Sequence, residues 1–561
     1  YKGSLQTFLN AMTYPDKTLF PVASRNLKDF HQLSDVYLDA VFYPAIYDNP
    51  LIFAQEGWHY DLSDPAGPLT RSGVVFNEMK GAYADPMTVL SYEVNRRLFE
   101  GTPYAFESGG HPDAIPRLDY QSFLDFHRRH YHPSNSWICL YGQLDLAAEL
   151  ERLDQTCLKA FDRLPESLKP QLPFAKPFPQ PRQAVAAYPL PEGQDPQGKN
   201  WLAYACVYGS FSKRKENLML EILSDVLIAG PGAPVRRALL DEGLGEDVRV
   251  IDDNLQQNLL GLVLVNSSET DVSHFQMVVE AALEKSLNDG LNPEELEGAL
   301  NRVEYDLREC EDMPTRGLLY YVWATDAWLY GGSPWQNLSY NQVLAELRQD
   351  IKAGAQGFHQ LARQAYLANP HRLTLLMQGQ AGLGQEREQQ NTKTLAHTLS
   401  QWPAARRQQV TAVSRRLKAW QETPDSPEQL ATIPRLGLQD VPARLSPWAQ
   451  EERCQLPGLP AAVLLQEKEF TAGIRYLQIV FKLNHMAAED FSALAFLAGS
   501  LGKLSTRRRS YAQLDTDIYL KTGGIQVSLS LSRTFASKAD LWLPAATSLP
   551  VQLLLTVSGK A

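Results

Sequence analysis

One succession of strands and helices returns along this 561-residue chain, and it constrains the fold more than any other feature. The second occurrence is the most complete. It has the strand pattern NWLAYACVYGS, a helix pattern over Glu216 to Ala229, the break GPGAP, the helix pattern VRRALLDEGLG and the strand pattern LLGLVLVNSSET. A third occurrence opens at Tyr476 with YLQIVFKLNH and EDFSALAFLAGSLG. The pattern predicts copies of one α+β unit.

The first occurrence shows only the later elements of this unit. The strand pattern LFPVAS leads into a helix pattern from Leu27 to Val41, and SFLDFHRRHYHPSNSWICLYG predicts a helix, a Pro-containing turn and a strand. The second occurrence repeats that order in a helix pattern over Asp271 to Leu287 and in FHQLARQAYLANPHRLTLLMQG. The strand and helices that open the second copy have no counterpart after Tyr1. We therefore expect a repeat array that is cut at both ends.

Composition along the chain suggests the boundaries. Nine prolines between Pro165 and Pro196 favour an extended connector over a helix. Further on, a helical pattern interrupted near Pro403 predicts a hairpin spacer, whose nearby arginines we expect to be solvated. The predicted parts are a first domain without its front end, a Pro-rich linker, a homologous second domain, a helical-hairpin linker and a truncated third domain, over 1–164, 165–199, 200–385, 386–440 and 441–561.

The overall composition excludes several classes of protein. A formal net charge of −11 argues against an indiscriminate binder of nucleic acid or anionic membranes. Five scattered cysteines without a C-x-x-C pair predict reduced thiols and no disulfide framework or thiolate zinc knuckle. No run of about 18 apolar residues and no signal-peptide pattern occurs, so we expect a soluble chain.

One carboxylate occupies an unusual position in the segment GVVFNEMKGAYADP. Val74, Val75, Glu78, Met79 and Ala82 recur at helical spacing, which predicts a short amphipathic helix with Glu78 on its apolar face. A buried carboxylate requires a hydrogen bond, a cation or a metal ion. From spacing alone, a surface Glu or an ion pair with a nearby Arg or Lys is as acceptable an interpretation as a ligand.

Other motifs give weaker indications. His127, His130 and His132 in HRRHYH could share a helix face, but the run ends at Pro133 and no carboxylate has the required spacing, so we interpret them as helix-end polar residues. The glycines of AGPGAP are not followed by Gly-Lys-Ser/Thr, and no G-x-S-x-G is present. These segments predict neither a phosphate loop nor a nucleophile elbow.

Several long motifs together carry a family resemblance over essentially the whole chain. SLQTFLNAMTYPDKTLFPVAS, GVVFNEMKGAYADP, SGGHPDAIPRLDYQSFLDFHRRHYHPSNS, LDEGLGEDV and ETPDSPEQLATIPRL resemble the presequence protease branch of the pitrilysin and insulin-degrading-enzyme superfamily of zinc peptidases. The resemblance implies pitrilysin-type α+β domains, mostly antiparallel sheet packed on helices, in two halves joined by a helical hairpin around an internal chamber. It also implies a zinc endopeptidase that degrades unfolded peptides such as cleaved targeting peptides.

The same resemblance assigns roles to particular residues. Family members bind zinc through an inverted H-x-x-E-H and a more distant Glu, which matches Glu78 here. No H-x-x-E-H occurs in these 561 residues, so we expect the water-activating Glu upstream of Tyr1 and no activity from the chain alone. Peptide substrates add as a strand to an exposed sheet edge, which matches Leu9 to Thr13 with Asn10 and Ala11 as the contacts. A plain internal strand is the alternative for this segment.

Two functions stay open at this point. The chain belongs to a zinc endopeptidase, or to a metal-free homologue that acts as a peptide-binding or structural subunit. For the endopeptidase, the resemblance implies a monomer that binds unfolded peptides and neither nucleic acid nor membranes. It also implies the cytoplasm in bacteria and the mitochondrial matrix or chloroplast stroma in eukaryotes.

Overall fold

The fold was obtained as a computed structural model, and the chain divides into two compact units. One unit comprises residues 1–203 with 371–446, and the other comprises residues 204–370 with 447–561. The structure describes residues 3–165, 172–230, 232–253, 255–310, 313, 315–442, 452–456, 459–466, 471–482, 487–531 and 551–560. Strand pairs in the described residues are antiparallel with one exception, so the α+β class is confirmed.

The first unit opens with short antiparallel strand pairs. They are β1 (Gln6–Leu9) with β4 (Val22–Ser24), β2 (Met12–Thr13) with β3 (Thr18–Leu19), and β5 (His59–Asp61) with β6 (Thr70–Ser72). The helices of this region are α1 (Leu27–Phe42), α2 (Leu51–Glu56), α3 (Val74–Ala82), α4 (Pro86–Leu98), α5 (Tyr120–His130) and α6 (Leu146–Thr156).

A five-stranded sheet follows. Its strands are β7 (Arg182–Leu190), β8 (Asn200–Tyr208), β9 (Asp247–Asp253), β10 (Asn258–Ser267) and β11 (Arg372–Ala381), in the order β7-β11-β8-β10-β9. β7 pairs in parallel with β11, whereas β9 and β10 are antiparallel. β7 lies inside the predicted Pro-rich connector, and its Pro189 is tolerated because β7 is an edge strand of this sheet.

The helical spacer is present with its predicted break. α14 (Leu383–Gln401) and α15 (Ala404–Glu422) flank Pro403, and α16 (Pro427–Ala431) follows. Leu395 and Val410 pack with Leu62 and Leu69, which lie next to β5 and β6. The amide of Leu62 also donates to the Ser414 hydroxyl at 3.1 Å. The hairpin thereby fixes the strand pair that leads into α3.

The second unit confirms the repeated order of elements. After β8 come α7 (Arg214–Ser224), a π turn over Asp225–Ala229, α8 (Pro234–Asp241), β9 and β10. The third copy gives β14 (Ile474–Lys482), α17 (Phe491–Ser500), α18 (Tyr511–Lys521), β15 (Gly524–Leu531) and β16 (Val551–Lys560). The other elements are α9 (Val272–Asp289), α10 (Pro293–Glu309), α11 (Arg316–Trp328), α12 (Asn341–Lys352), α13 (Gln356–Ala362), β12 (Glu452–Leu456) and β13 (Leu459–Gln466).

Two local features differ from the sequence expectation. The strand predicted for WICLYG does not form, and residues 137–142 are irregular, since no described strand pairs with them. The run Arg214–Asp241 has the length and composition of a membrane span. However, 59% of its apolar window is buried in the protein, and the π turn interrupts it before α8. Burial of this kind is typical of a core helix.

Candidate functional site

A glycine sets the start of the helix that carries Glu78. Gly73 follows β6 with a φ of 152°, and a Cβ atom there would lie 2.3 Å from the carbonyl oxygen of Gly57. The amide of Phe76 donates to that same carbonyl at 3.4 Å, and Asn77 donates to the Gly73 carbonyl at 3.0 Å. Only glycine fits this close approach, because any side chain would displace the backbone of residue 57.

The buried face of α3 is not the predicted one. Phe76 and Met79 are buried and pack with Ile115, whereas Val74 is 51% exposed and Glu78 is also exposed. The predicted burial of the Glu78 carboxylate is therefore wrong. The helix has only nine residues, and its apolar residues allow two overlapping stripes, of which tertiary packing selects the one centred on Phe76 and Met79.

Glu78 is held in place without being engaged. Within the described part of the chain its carboxylate makes no hydrogen bond and no ion pair. The predicted pairing with a nearby Arg or Lys is absent among those residues. The neighbouring Lys80 instead pairs with Glu388 at 2.8 Å, an exposed bridge that contributes little to stability. Glu78 is thus a solvent-facing carboxylate on a helix whose other face is fixed in a core.

The segment SGGHPDA forms the neighbourhood of this helix. Gly109 approaches so closely that a Cβ atom there would lie 2.2 Å from the Met79 sulfur. The His111 ring packs edge-on against Tyr83 with centroids 4.7 Å apart. Burial, and then Glu107, raises the pKa of the Tyr83 phenol well above its usual range, so that it stays protonated. Sequence reasoning missed this cluster, although the paired glycines before His111 are a signal of close backbone approach.

The predicted peptide-binding segment is exposed but is not one continuous strand. Asn10 and Ala11 lie between β1 and β2, and both are exposed. The Asn10 amide donates to the Pro21 carbonyl at 3.2 Å, and its side chain accepts from the Ala11 amide at 2.9 Å. The buried Asp29 carboxylate anchors the approach to β1 by accepting from the Leu5 amide at 3.1 Å. Among the described residues, no hydrogen bond or ion pair joins this segment to Glu78.

The histidines of HRRHYH have structural partners. His127 shares a hydrogen bond with the Tyr47 hydroxyl at 2.7 Å and one with the Val41 carbonyl at 2.9 Å. Burial lowers the pKa of His130, with Arg129 adding to the effect. His132 caps the following 3-10 turn by accepting from the Ser134 amide. In the described residues, no group of three or more His, Cys, Asp or Glu side chains is arranged to hold a metal ion.

Comparison with known families places these features in context. The family described as "Peptidase M16 inactive domain" matches residues 117–303, and a family described as associated with subfamily C of the same peptidases matches residues 377–542. The chain is 34% identical over 536 residues to presequence protease 1, chloroplastic/mitochondrial, of Arabidopsis thaliana. The chain belongs to the pitrilysin superfamily of peptidases. The predicted membership of this superfamily is confirmed.

Further pitrilysin relatives match over the same extent. Protein HypA of Clostridium perfringens is 35% identical, with 93% of this chain and 53% of the relative covered. The mitochondrial presequence protease of Mus musculus is 28% identical, with 94% and 50% covered. For the Arabidopsis protease the shares are 94% and 49%. The chain spans about half the length of the curated relatives it matches.

Solved structures give a looser likeness. A peptidase M16 inactive domain from Pseudomonas fluorescens aligns with a TM-score of 0.48 at 13% identity, covering 66% of this chain and 81% of that one. The periplasmic protease PqqL from Escherichia coli aligns with a TM-score of 0.45 at 14% identity, covering 99% and 56%.

Proposed function

We propose that this chain is part of a zinc endopeptidase that cuts extended, unfolded peptides, and that Glu78 is its contribution to the metal. The observation that carries the proposal is the state of Glu78, which is exposed, lacks a partner among the described residues and sits on an anchored helix. A carboxylate ligand must be ionised and free to reach the metal. The presequence protease names of the relatives support the same function.

The described residues do not by themselves fit a zinc ion. A catalytic zinc site takes three protein ligands, and Glu78 supplies one. The two imidazoles and the water-activating carboxylate of the proposed site come from residues other than these 561. We therefore derive no catalytic step through the metal, and assign Glu78 only the task of holding it.

Peptide capture is the second part of the proposal. The segment Asn10–Ala11 is exposed, and main-chain pairing at such an edge binds extended peptides with little sequence preference. A folded protein offers no free strand to such an edge. The proposed substrate class is therefore unfolded peptides, in the compartments that the relatives' names give, mitochondria and chloroplasts, or in the bacterial cytoplasm.

The assignment of Glu78 is tested in a longer form of the protein that includes an H-x-x-E-H segment. Glu78→Gln is expected to lose stoichiometric zinc and peptide hydrolysis while the thermal unfolding curve is kept, since the carboxylate bonds no described residue. Glu56→Gln is the matched control, because Glu56 is also exposed and, among the described residues, bonds only the adjacent Gln55 side chain. Full zinc content and activity in Glu78→Gln would refute the assignment.

A metal-free homologue is the second candidate, and one observation favours it. The family matching residues 117–303 is described as an inactive domain. On this alternative the protein binds peptides without cutting them. Metal analysis of the longer form discriminates the two functions: one zinc per chain with chelator-sensitive cleavage supports the endopeptidase, and peptide binding without zinc supports the homologue.

A further inference from the structure

A cavity of about 200 Å³ lies inside the second unit, away from the residues considered so far. Its walls combine apolar and aromatic side chains, including Leu255, Val303 and Trp323, with charged and amide groups. Such a mixture suits a ligand that has an aliphatic stem and a polar end. Helices α7, α10 and α11 and the residues before and at the start of β10 supply the lining.

The cavity has an excess of negative charge. Glu221, Asp306 and Asp326 line it, and the one guanidinium in the lining belongs to Arg214. Both Glu221 and Asp306 expose surface although they lie among packed helices. One positive charge against three carboxylates leaves an excess of two negative charges when all are ionised. A cationic ligand would relieve the repulsion between these carboxylates.

The hydrogen-bonding groups of the cavity point to a donor-rich ligand. Asn258 is 2% exposed and lines the cavity, and its amide nitrogen donates to the Asn217 side chain at 2.7 Å. Its Oδ1 atom is buried and has no hydrogen-bond partner among the described residues. A buried acceptor left without a donor is costly, and natural sites retain one for a ligand or an ordered water. The Nε of Arg214 is likewise unpaired among these residues, and would be satisfied by a carbonyl oxygen.

We propose that this cavity binds the guanidinium or ammonium group of a positively charged side chain in an extended peptide. The charged group meets Glu221, Asp306 and the Asn258 oxygen, and the aliphatic stem lies against Leu255, Val303 and Trp323. A peptide carbonyl then accepts from Arg214. The inference rests on the proposed function for the peptide character of the ligand, and on the charge and hydrogen bonding of the cavity for its basic side chain.

The protonation of Glu221 supports the same ligand. This carboxyl faces Arg214 and Asp225 of its own helical run, Asp252 of β9 and Asp306 of α10. Burial raises the pKa of Glu221 to about 7; Arg214 opposes the increase, and the three aspartates add to it. A bound cation favours the ionised carboxylate, so that binding releases a proton. Affinity is expected to rise as the pH rises through 7.

The test measures binding by fluorescence anisotropy on the whole 561-residue chain without metal. The probes are a labelled hexapeptide with one central Arg and the same peptide with neutral citrulline. We expect the Arg peptide to bind about tenfold more tightly than the citrulline peptide, and Glu221→Gln to remove that difference. Glu216→Gln is the matched control, because Glu216 lies on the same helix outside the lining and pairs with Lys213.

Equal affinities for the two peptides, or an unchanged preference in Glu221→Gln, would overturn the proposal. If Glu221→Gln does not fold, Asp306→Asn provides the same measurement. Argininamide as a competitor separates the two sources of a guanidinium. Competition about tenfold weaker than that of the unlabelled Arg peptide supports the peptide, and equal competition overturns that part. Failure of Glu78 to bind zinc in the longer form would refute the proposed function and leave this charge preference measurable.

Discussion

At the scale of the residue, Glu221 is the clearest source of pH-dependent stability. Its pKa of about 7 in the folded state lies above the ordinary value of 4.5, chiefly because of burial. A raised carboxyl pKa means that the folded state binds more protons than the unfolded state between these values. The contribution of Glu221 to stability is therefore full below pH 4.5 and is lost as the pH rises towards 7.

The variant Glu221→Gln should remove this loss. We expect it to raise the free energy of unfolding at pH 8 by about 1 kcal/mol, less than the shift alone would give because water also reaches the carboxyl. At pH 4 the variant and the parent chain should be equally stable. Urea unfolding at both pH values measures the difference, and Glu216→Gln should show the parent's pH dependence. A gain at pH 4 as large as that at pH 8 would contradict the assignment.

At the scale of the element, the placement of α3 depends on the turn that begins it. Gly73→Ala puts a methyl group 2.3 Å from the Gly57 oxygen and imposes a side chain at φ 152°. We expect a loss of about 3 kcal/mol in unfolding free energy, since the backbone must shift to relieve the clash. In the longer form of the protein the displaced helix should also carry Glu78 away and reduce zinc affinity.

The same helix offers a matched control. Gly81 lies near its end, and a Cβ atom there would meet nothing within 4 Å. Gly81→Ala is expected to be neutral or to stabilise the chain by about 0.5 kcal/mol through better helix propensity. Thermal unfolding of both variants checks the contrast. Equal destabilisation by the two substitutions would show that the close approach at Gly73 is not what positions α3.

At the scale of the whole molecule, the stability of the second unit depends on how its two repeat copies pack. Arg302 of α10 bonds Asp225 at 2.6 Å, lies over the Tyr519 ring of α18 at 3.6 Å and reaches Asp515 at 4.0 Å. Burial raises the pKa of both aspartates, and Arg302 opposes the increase. Arg302→Met should cost about 2 kcal/mol because it leaves two partly buried carboxylates without their cation.

Limited proteolysis provides the measurement. In Arg302→Met we expect faster cleavage within Phe491–Leu531, where the third copy lies, than in the parent chain. Arg237→Met is the control, because Arg237 is 56% exposed and its distance to Asp241 is 3.8 Å. Unchanged cleavage in Arg302→Met would show that apolar packing between α10 and α18 carries the interface without the arginine.

The amino-acid sequence alone determined the order of the elements and the superfamily. The strand, helix, helix and strand order of the second and third copies followed from local hydrophobic period and from breaks such as GPGAP, which depend on neighbouring residues only. The same local rules placed α9 and the break of the hairpin at Pro403. They failed for residues 137–142, because a strand forms only where a second strand pairs with it.

The tertiary structure decided which faces are buried and which distant residues meet. A nine-residue helix allowed two apolar stripes, and the approach of Gly109 to Met79, thirty positions along the chain, selected the stripe that leaves Glu78 in solvent. Glu221 and Asp306 likewise share a cavity although 85 positions separate them. Burial and charge environment depend on such long-range packing, so the exposure of Glu78 and the raised pKa of Glu221 could not be read from the order of residues.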